Sequence, residues 1–160
     1  MGSKSFIRKS SFIYRSTLTH DIIQYKSALV VSKIASLISP QSGTILSYLP
    51  LLARSEIDLH QLERLLPAST FSYVEPKSNA PEPTGSFTHI IVPCVTADIQ
   101  GYRLGYGQGW YDKFLLQHPD AITIGVCYEQ CIVQKLPNEP HDVRLNYVIS
   151  EERIIRPSVE

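Results

Sequence analysis

Three short apolar runs constrain the fold of this chain more than any other feature. Residues 89–92 read HIIV and stop at Pro93, residues 121–127 read AITIGVC, and residues 146–150 read NYVIS. Runs this short and this unbroken suit strands covered on both faces, as in a parallel sheet. Residues 44–48 (TILSY), with Pro50 close behind, and residues 71–74 predict two more strands. Helical patterns separate them. Residues 4–16 predict a first helix. Thr19 and Asp21 open a second, in which Ile22, Tyr25, Leu29, Val30, Ile34 and Leu37 keep helical spacing and are expected in the core until Pro40 and Gly43 stop it. Residues 58–66 predict a third, with Leu59, Leu62, Leu65 and Leu66 inward, and the Pro-, Ser- and Gly-rich residues 75–86 predict a loop. Helix and strand alternate, so the expectation is an α/β fold around a mainly parallel sheet. A length of 160 residues fits a single domain over residues 1–160, with Met1-Gly2-Ser3 read as a disordered or vector-derived lead.

Composition narrows the function. The formal net charge is zero, so no global field draws the chain to nucleic acid or to a membrane, and any anion site must be local. No apolar run approaches the roughly 20 residues of a membrane span. Three cysteines are too few for a disulfide framework, and Cys127 and Cys131 have no second ligand pair at zinc spacing, so they read as buried thiols. The expectation is a cytoplasmic protein, monomeric, with no nucleic-acid or membrane partner.

Residues 98–115 read DIQGYRLGYGQGWYDKFL. Gly101, Gly105, Gly107 and Gly109 fall between a buried strand and an apolar helical pattern through Trp110, Phe114 and Leu115. A glycine loop at the carboxyl edge of a parallel sheet brings main-chain N–H groups close to phosphate, and the following helix N-terminus adds partial positive charge. Neither G-x-G-x-x-G nor G-x-x-x-x-G-K-[ST] is present. Arg103 lies within the segment, where its fork suits two phosphate oxygens. Asp112 follows Gly109 by about one turn, near enough for a metal bridging the same phosphates, and magnesium takes one or two carboxylates plus phosphate oxygens and waters. Asp142, in the proline-stiffened Asn138-Glu139-Pro140-His141-Asp142, is the second carboxylate. On the first helix Lys4, Arg8 and Arg15 fall within about 40° of one face, with Phe6 and Ile13 nearly opposite. That stripe reads either as a solvated basic face or as cations reaching over an anionic ligand.

At these residues the chain resembles the 5-formyltetrahydrofolate cyclo-ligase family, whose members are also called methenyltetrahydrofolate synthetases. Four blocks carry the resemblance. They are Lys4-x-x-x-Arg8 with Arg15 and Leu18; Ser47-Tyr48-Leu49-Pro50 with Ser55-Glu56-Ile57-Asp58; Ile90-Ile91-Val92-Pro93 through Asp98, Gly101 and Arg103–Asp112; and Leu136-Pro137-x-Glu139-Pro140-His141-Asp142-Val143 with Ile149–Arg153. The resemblance implies a three-layer α/β sandwich related to sugar-phosphate isomerase and CoA-transferase folds. It implies Mg2+- and ATP-dependent conversion of the reduced folate 5-formyltetrahydrofolate to 5,10-methenyltetrahydrofolate, with release of ADP and phosphate. Carried over by motif, Lys4, Arg8 and Arg103 hold ATP phosphates. Leu104, Gly105, Tyr106, Gly107, Gln108, Gly109, Trp110, Tyr111 and Asp112 complete the ATP site. Glu56, Tyr48 and Tyr111 face the folate, Asp112 and Asp142 serve magnesium, and Arg103 and Asp112 are the catalytic pair.

The chain also departs from the family pattern. Typical members carry an extra stretch of strand and loop before the position of Glu82-Pro83, which supplies part of the ligand wall. Gln108 stands where Gly or Lys is common, Trp110 where Tyr is common, Ala97 where an aromatic is common, and Asn146 where Asp is frequent. Two other readings therefore stand beside the cyclo-ligase: a compact relative using ATP on another substrate, and a non-catalytic folate- or nucleotide-binding protein.

Overall fold

The computed structural model describes residues 2–38, 43–75 and 80–158. Helix α1 (Lys4–Ser16) starts at Ser3, whose hydroxyl accepts the Phe6 N–H at 3.2 Å, so Ser3 is a helix cap and no loose lead. The helix buries its polar side. Ser11 and Arg15 are its buried residues, while Phe6 and Ile13 are 64% and 58% exposed. Helix α2 (His20–Ile38) buries Val30, Val31, Ile34, Ala35 and Ile38. Ile22 and Tyr25, expected in the core, are 41% and 68% exposed, because only the later turns of α2 lie over the apolar core. Pro40 falls outside the described residues.

Strands β1 (Thr44–Tyr48), β2 (Thr70–Val74), β3 (His89–Pro93), β6 (Ile122–Val126), β8 (Tyr147–Ile149) and β9 (Ile154–Ile155) form a six-stranded sheet in the order β2-β1-β3-β6-β8-β9. Every pairing is parallel except β8 with β9. The expected mainly parallel α/β sheet is what forms. A second sheet was not foreseen: β4 (Thr96–Asp98) lies between β5 (Arg103–Leu104) and β7 (Ile132–Val133). The third predicted helix shrinks to α3 (Leu62–Leu65). Leu59, Leu62 and Leu66 do enter the core, but Leu65 is 50% exposed. Helix α4 (Trp110–Leu116) follows the glycine segment.

Strand order places the crevice. From β1 the chain crosses to β2 at one edge and then returns to β3 on the other side of β1. That reversal is a topological switch point, and ligands of open α/β sheets bind outside the strand carboxyl ends at such a point. The segments leaving there are residues 49–56 after β1 and residues 94–109 after β3. They carry Glu56 and the glycine turn.

Candidate active site

Gly101 and residues 105–109 separate at once. Gly101 is buried at φ +92°, and a Cβ there would meet the Leu145 carbonyl oxygen at 2.7 Å. It closes the β4–β5 turn and offers nothing to a ligand. Around it Asp98 Oδ1 accepts the N–H groups of Gln100 and Tyr102, each at 2.9 Å, and Asp98 Oδ2 accepts that of Leu136 at 2.9 Å. Leu104 is 3% exposed and paired with Thr96, so its side chain belongs to the core and not to an ATP site. From Tyr106 to Gly109 the turn is exposed. Gly107, at φ +97°, lets the turn fold beside Arg8: a Cβ at Gly107 would stand 3.7 Å from the guanidinium carbon.

The basic stripe of α1 is docked onto this turn. Arg8 Nε donates to the Gly105 carbonyl at 2.7 Å, which aims the rest of its fork past Gly107. Lys4 Nζ lies 3.3 Å from Glu139 Oε1 and 3.5 Å from Asp142 Oδ2, tying α1 to the loop before β8. Ser11 Oγ and Thr96 Oγ1 share a buried hydrogen bond of 2.6 Å and fix the helix against β4. Arg15, on the same stripe, is 4% exposed and donates to the Cys94 carbonyl at 2.8 Å. It pins the helix and cannot reach over a ligand from there.

Asp112 and Asp142 come together through one residue. Asp112 Oδ1 accepts the Val143 N–H at 3.1 Å and pairs with Arg103 Nη1 at 3.2 Å. Arg103 Nη1 also donates to the Val143 carbonyl at 3.2 Å. The Arg103 side chain is only 6% exposed, with its guanidinium 6.0 Å from the Tyr111 ring centre, yet among the described residues its Nε and Nη2 make no hydrogen bond. Asp142 Oδ2 accepts the Glu139 N–H at 2.8 Å. Asp112 Oδ2 makes no hydrogen bond among the described residues. These are hard oxygen donors, half-buried, paired with Lys4 and Arg103, and they fit magnesium bound together with phosphate. Among the described residues no three acidic, His or Cys side chains form a metal cage, so phosphate oxygens and water would complete such a shell. Helix α4 has only seven residues, so its dipole is a small contributor beside Lys4, Arg8 and Arg103.

In the segment after β1, Glu56 is 4% exposed. Ser55, in the left-handed region at φ 54°, turns the chain so that Glu56 points inward. Glu56 Oε2 accepts the Leu51 N–H at 2.9 Å, and Oε1 accepts the Tyr106 hydroxyl at 2.8 Å. Tyr111 carries a hydroxyl sealed from solvent with no hydrogen-bond partner among the described residues. Burial, and then the Glu56 charge, push that phenol far above its ordinary range, so it remains a proton donor awaiting an acceptor. Tyr48 is 4% exposed and donates its hydroxyl to the Ile57 carbonyl at 2.7 Å, which makes it a core residue supporting the loop and not a substrate contact. Trp110 stacks on Phe114 at 4.9 Å and 10°, on the core side of α4. Gln108 stands exposed in the turn. The sequence reading missed the Arg15–Tyr106–Glu56 contacts, since nothing in local spacing links residues 15, 56 and 106.

A family-wide sequence model of the 5-formyltetrahydrofolate cyclo-ligase family matches residues 32–151. The chain belongs to that family. A 5-formyltetrahydrofolate cyclo-ligase of Mycolicibacterium smegmatis is 37% identical over 75 residues, covering 45% of this chain and 38% of the relative. A 5,10-methenyltetrahydrofolate synthetase from Mycoplasma pneumoniae superposes with a TM-score of 0.79 at 22% identity, covering 94% of this chain and 99% of that one, which shows a shared fold. The Aquifex aeolicus 5,10-methenyltetrahydrofolate synthetase gives a TM-score of 0.71 at 25% identity, covering 98% and 96%. The aligned stretch spans less than half the length of the curated cyclo-ligases it matches.

Proposed function

We propose that the chain converts 5-formyltetrahydrofolate to 5,10-methenyltetrahydrofolate with Mg2+ and ATP, releasing ADP and phosphate. The observation that carries this reading is the meeting of Arg8, the exposed glycine turn, Arg103 and Asp112 at one end of the sheet. Family membership supplies the substrates.

The chemistry asks for little more than placement. The formyl oxygen attacks the γ-phosphorus, the bond to ADP breaks, and the oxygen becomes a phosphate leaving group. N10 of the folate then adds to the activated carbon, the N10 proton leaves, and expulsion of phosphate forms the methenyl bridge. Such transfers rest mainly on positioning and charge neutralisation. In this reading Lys4 and Arg8 hold the outer phosphates from α1, while Nε and Nη2 of Arg103 bind oxygens of the transferring group. Main-chain N–H groups of residues 105–109 supply further donors. Asp112 and Asp142 would hold magnesium, which when bound would neutralise phosphate charge. Glu56 and the Tyr111 hydroxyl orient the folate, with the phenol donating to a substrate heteroatom. The reading is of a cytoplasmic monomer, and the three free buried cysteines fit a reducing compartment.

The test is direct. Purified protein mixed with Mg-ATP and 5-formyltetrahydrofolate is expected to give the near-ultraviolet absorbance of the methenyl product, with one ADP per product. ATP hydrolysis without that product would overturn the assignment.

A further inference from the structure

We propose that Tyr106 is a positioning residue that couples nucleotide binding to folate binding by tying the glycine turn to Glu56. The inference rests on the cyclo-ligase reading for the identity of the two ligands. Its geometry does not.

Tyr106 sits between Gly105, whose carbonyl is held by Arg8 Nε at 2.7 Å, and Gly107, against which the Arg8 guanidinium lies. Its own hydroxyl donates to Glu56 Oε1 at 2.8 Å. The second Glu56 oxygen is held by the Leu51 N–H at 2.9 Å, so Glu56 bridges the turn and the segment after β1. Arg15 Nη1 approaches the Tyr106 oxygen at 3.4 Å from the buried side. The ring itself is fixed: it stacks on Phe12 at 5.8 Å and 24°, and the Arg54 guanidinium lies 5.6 Å from its centre. Burial and the neighbouring Glu56 hold the phenol up at about 12, so it stays a donor at working pH. Two neighbouring residues, Gly105 and Tyr106, thus link a phosphate-side cation to a folate-side carboxylate through hydrogen bonds. A phosphate that settles Arg8 and residues 105–107 also settles Glu56, and the coupling must run equally in reverse. The reaction benefits because formyl oxygen and γ-phosphorus must meet within one site.

Tyr106→Phe keeps the ring and its stacking and removes the hydroxyl, and with it the Glu56 link and the longer Arg15 contact. Calorimetry measures 5-formyltetrahydrofolate binding with and without Mg2+ and a non-hydrolysable ATP analogue, beside turnover of the same proteins. In the wild type the nucleotide is expected to tighten folate binding about fivefold or more. In Tyr106→Phe that tightening falls to within about twofold and the folate KM rises about tenfold, as loss of one hydrogen bond to a charged group implies. Nucleotide affinity without folate stays within about twofold. A merely structural role would change stability and both affinities together. In a double-mutant cycle, Tyr106→Phe should add little to Glu56→Ala, because both remove the Tyr106–Glu56 hydrogen bond. Full coupling in Tyr106→Phe, no coupling in the wild type, or multiplicative effects in the double variant would overturn the inference. Coupled binding without methenyl product would sink the cyclo-ligase reading and leave this one standing. Product with coupling unchanged in Tyr106→Phe would do the reverse, and a wild type that binds no folate would sink both.

Discussion

Asp112 Oδ1 accepts the main-chain N–H of Val143 at 3.1 Å, and this single hydrogen bond brings the loop carrying Asp142 to the first turn of α4. In the proposed reading Asp112 has two tasks on two oxygens: Oδ1 holds the Val143 N–H, and Oδ2 is left for the metal. Asp112→Asn keeps an oxygen for Val143 but loses the charge. We expect turnover to fall about a hundredfold or more, with the melting temperature within about 3 °C of wild type. Parallel losses of stability and activity, read by thermal melts and the methenyl assay, would count against the metal role.

Arg8 and Arg15 share one helical face but differ in burial, and their variants should differ likewise. Arg15→Ala leaves the Cys94 carbonyl without its buried donor and opens a cavity beside Phe12 and Tyr128. Urea unfolding is expected to show a loss of about 2–4 kcal/mol. Arg8→Ala should cost less than about 1 kcal/mol while weakening ATP about tenfold. The opposite pattern would exchange their roles.

Arg103→Lys tests geometry at constant charge. A lysine has one nitrogen, which cannot pair with Asp112, bond the Val143 carbonyl and still offer two donors outward. ATP affinity is expected to fall about tenfold by calorimetry. An unchanged affinity would exclude Arg103 as a two-oxygen clamp.

His89 makes stability depend on pH. It is 8% exposed at the start of β3, and burial lowers its pKa below the usual 6.5. The fold therefore favours the neutral ring, and the unfolded chain takes up the proton first. Stability from this group is complete above about pH 6.5 and is lost as pH falls from there through the folded-state pKa. Melting temperatures from pH 8 to pH 5 should fall more steeply for wild type than for His89→Gln. Equal slopes would show that His89 carries no such penalty.

The central strands were legible because residues 90–92 and 124–127 are unbroken apolar runs, as suits strands covered on both faces. Strands β4, β5, β7 and β9 were not, since two or three residues carry no periodicity and owe their form to partners far along the chain. Helical spacing placed Lys4, Arg8 and Arg15 on one face correctly, but spacing cannot say which face looks inward. Ser11 and Arg15 face the protein and Phe6 and Ile13 face solvent, because hydrogen bonds to Thr96 and Cys94 hold the polar side down. The glycine segment was read as one unit, yet Gly101 serves β4–β5 packing while residues 105–109 form the exposed turn.

The most direct measurement is a crystal structure of the protein with Mg2+ and a non-hydrolysable ATP analogue. The account predicts outer phosphate oxygens within hydrogen-bond distance of Arg8, Arg103 and the N–H groups of residues 105–109, with the metal on Asp112. A triphosphate bound away from that turn, or a metal ligated by neither Asp112 nor Asp142, would contradict it.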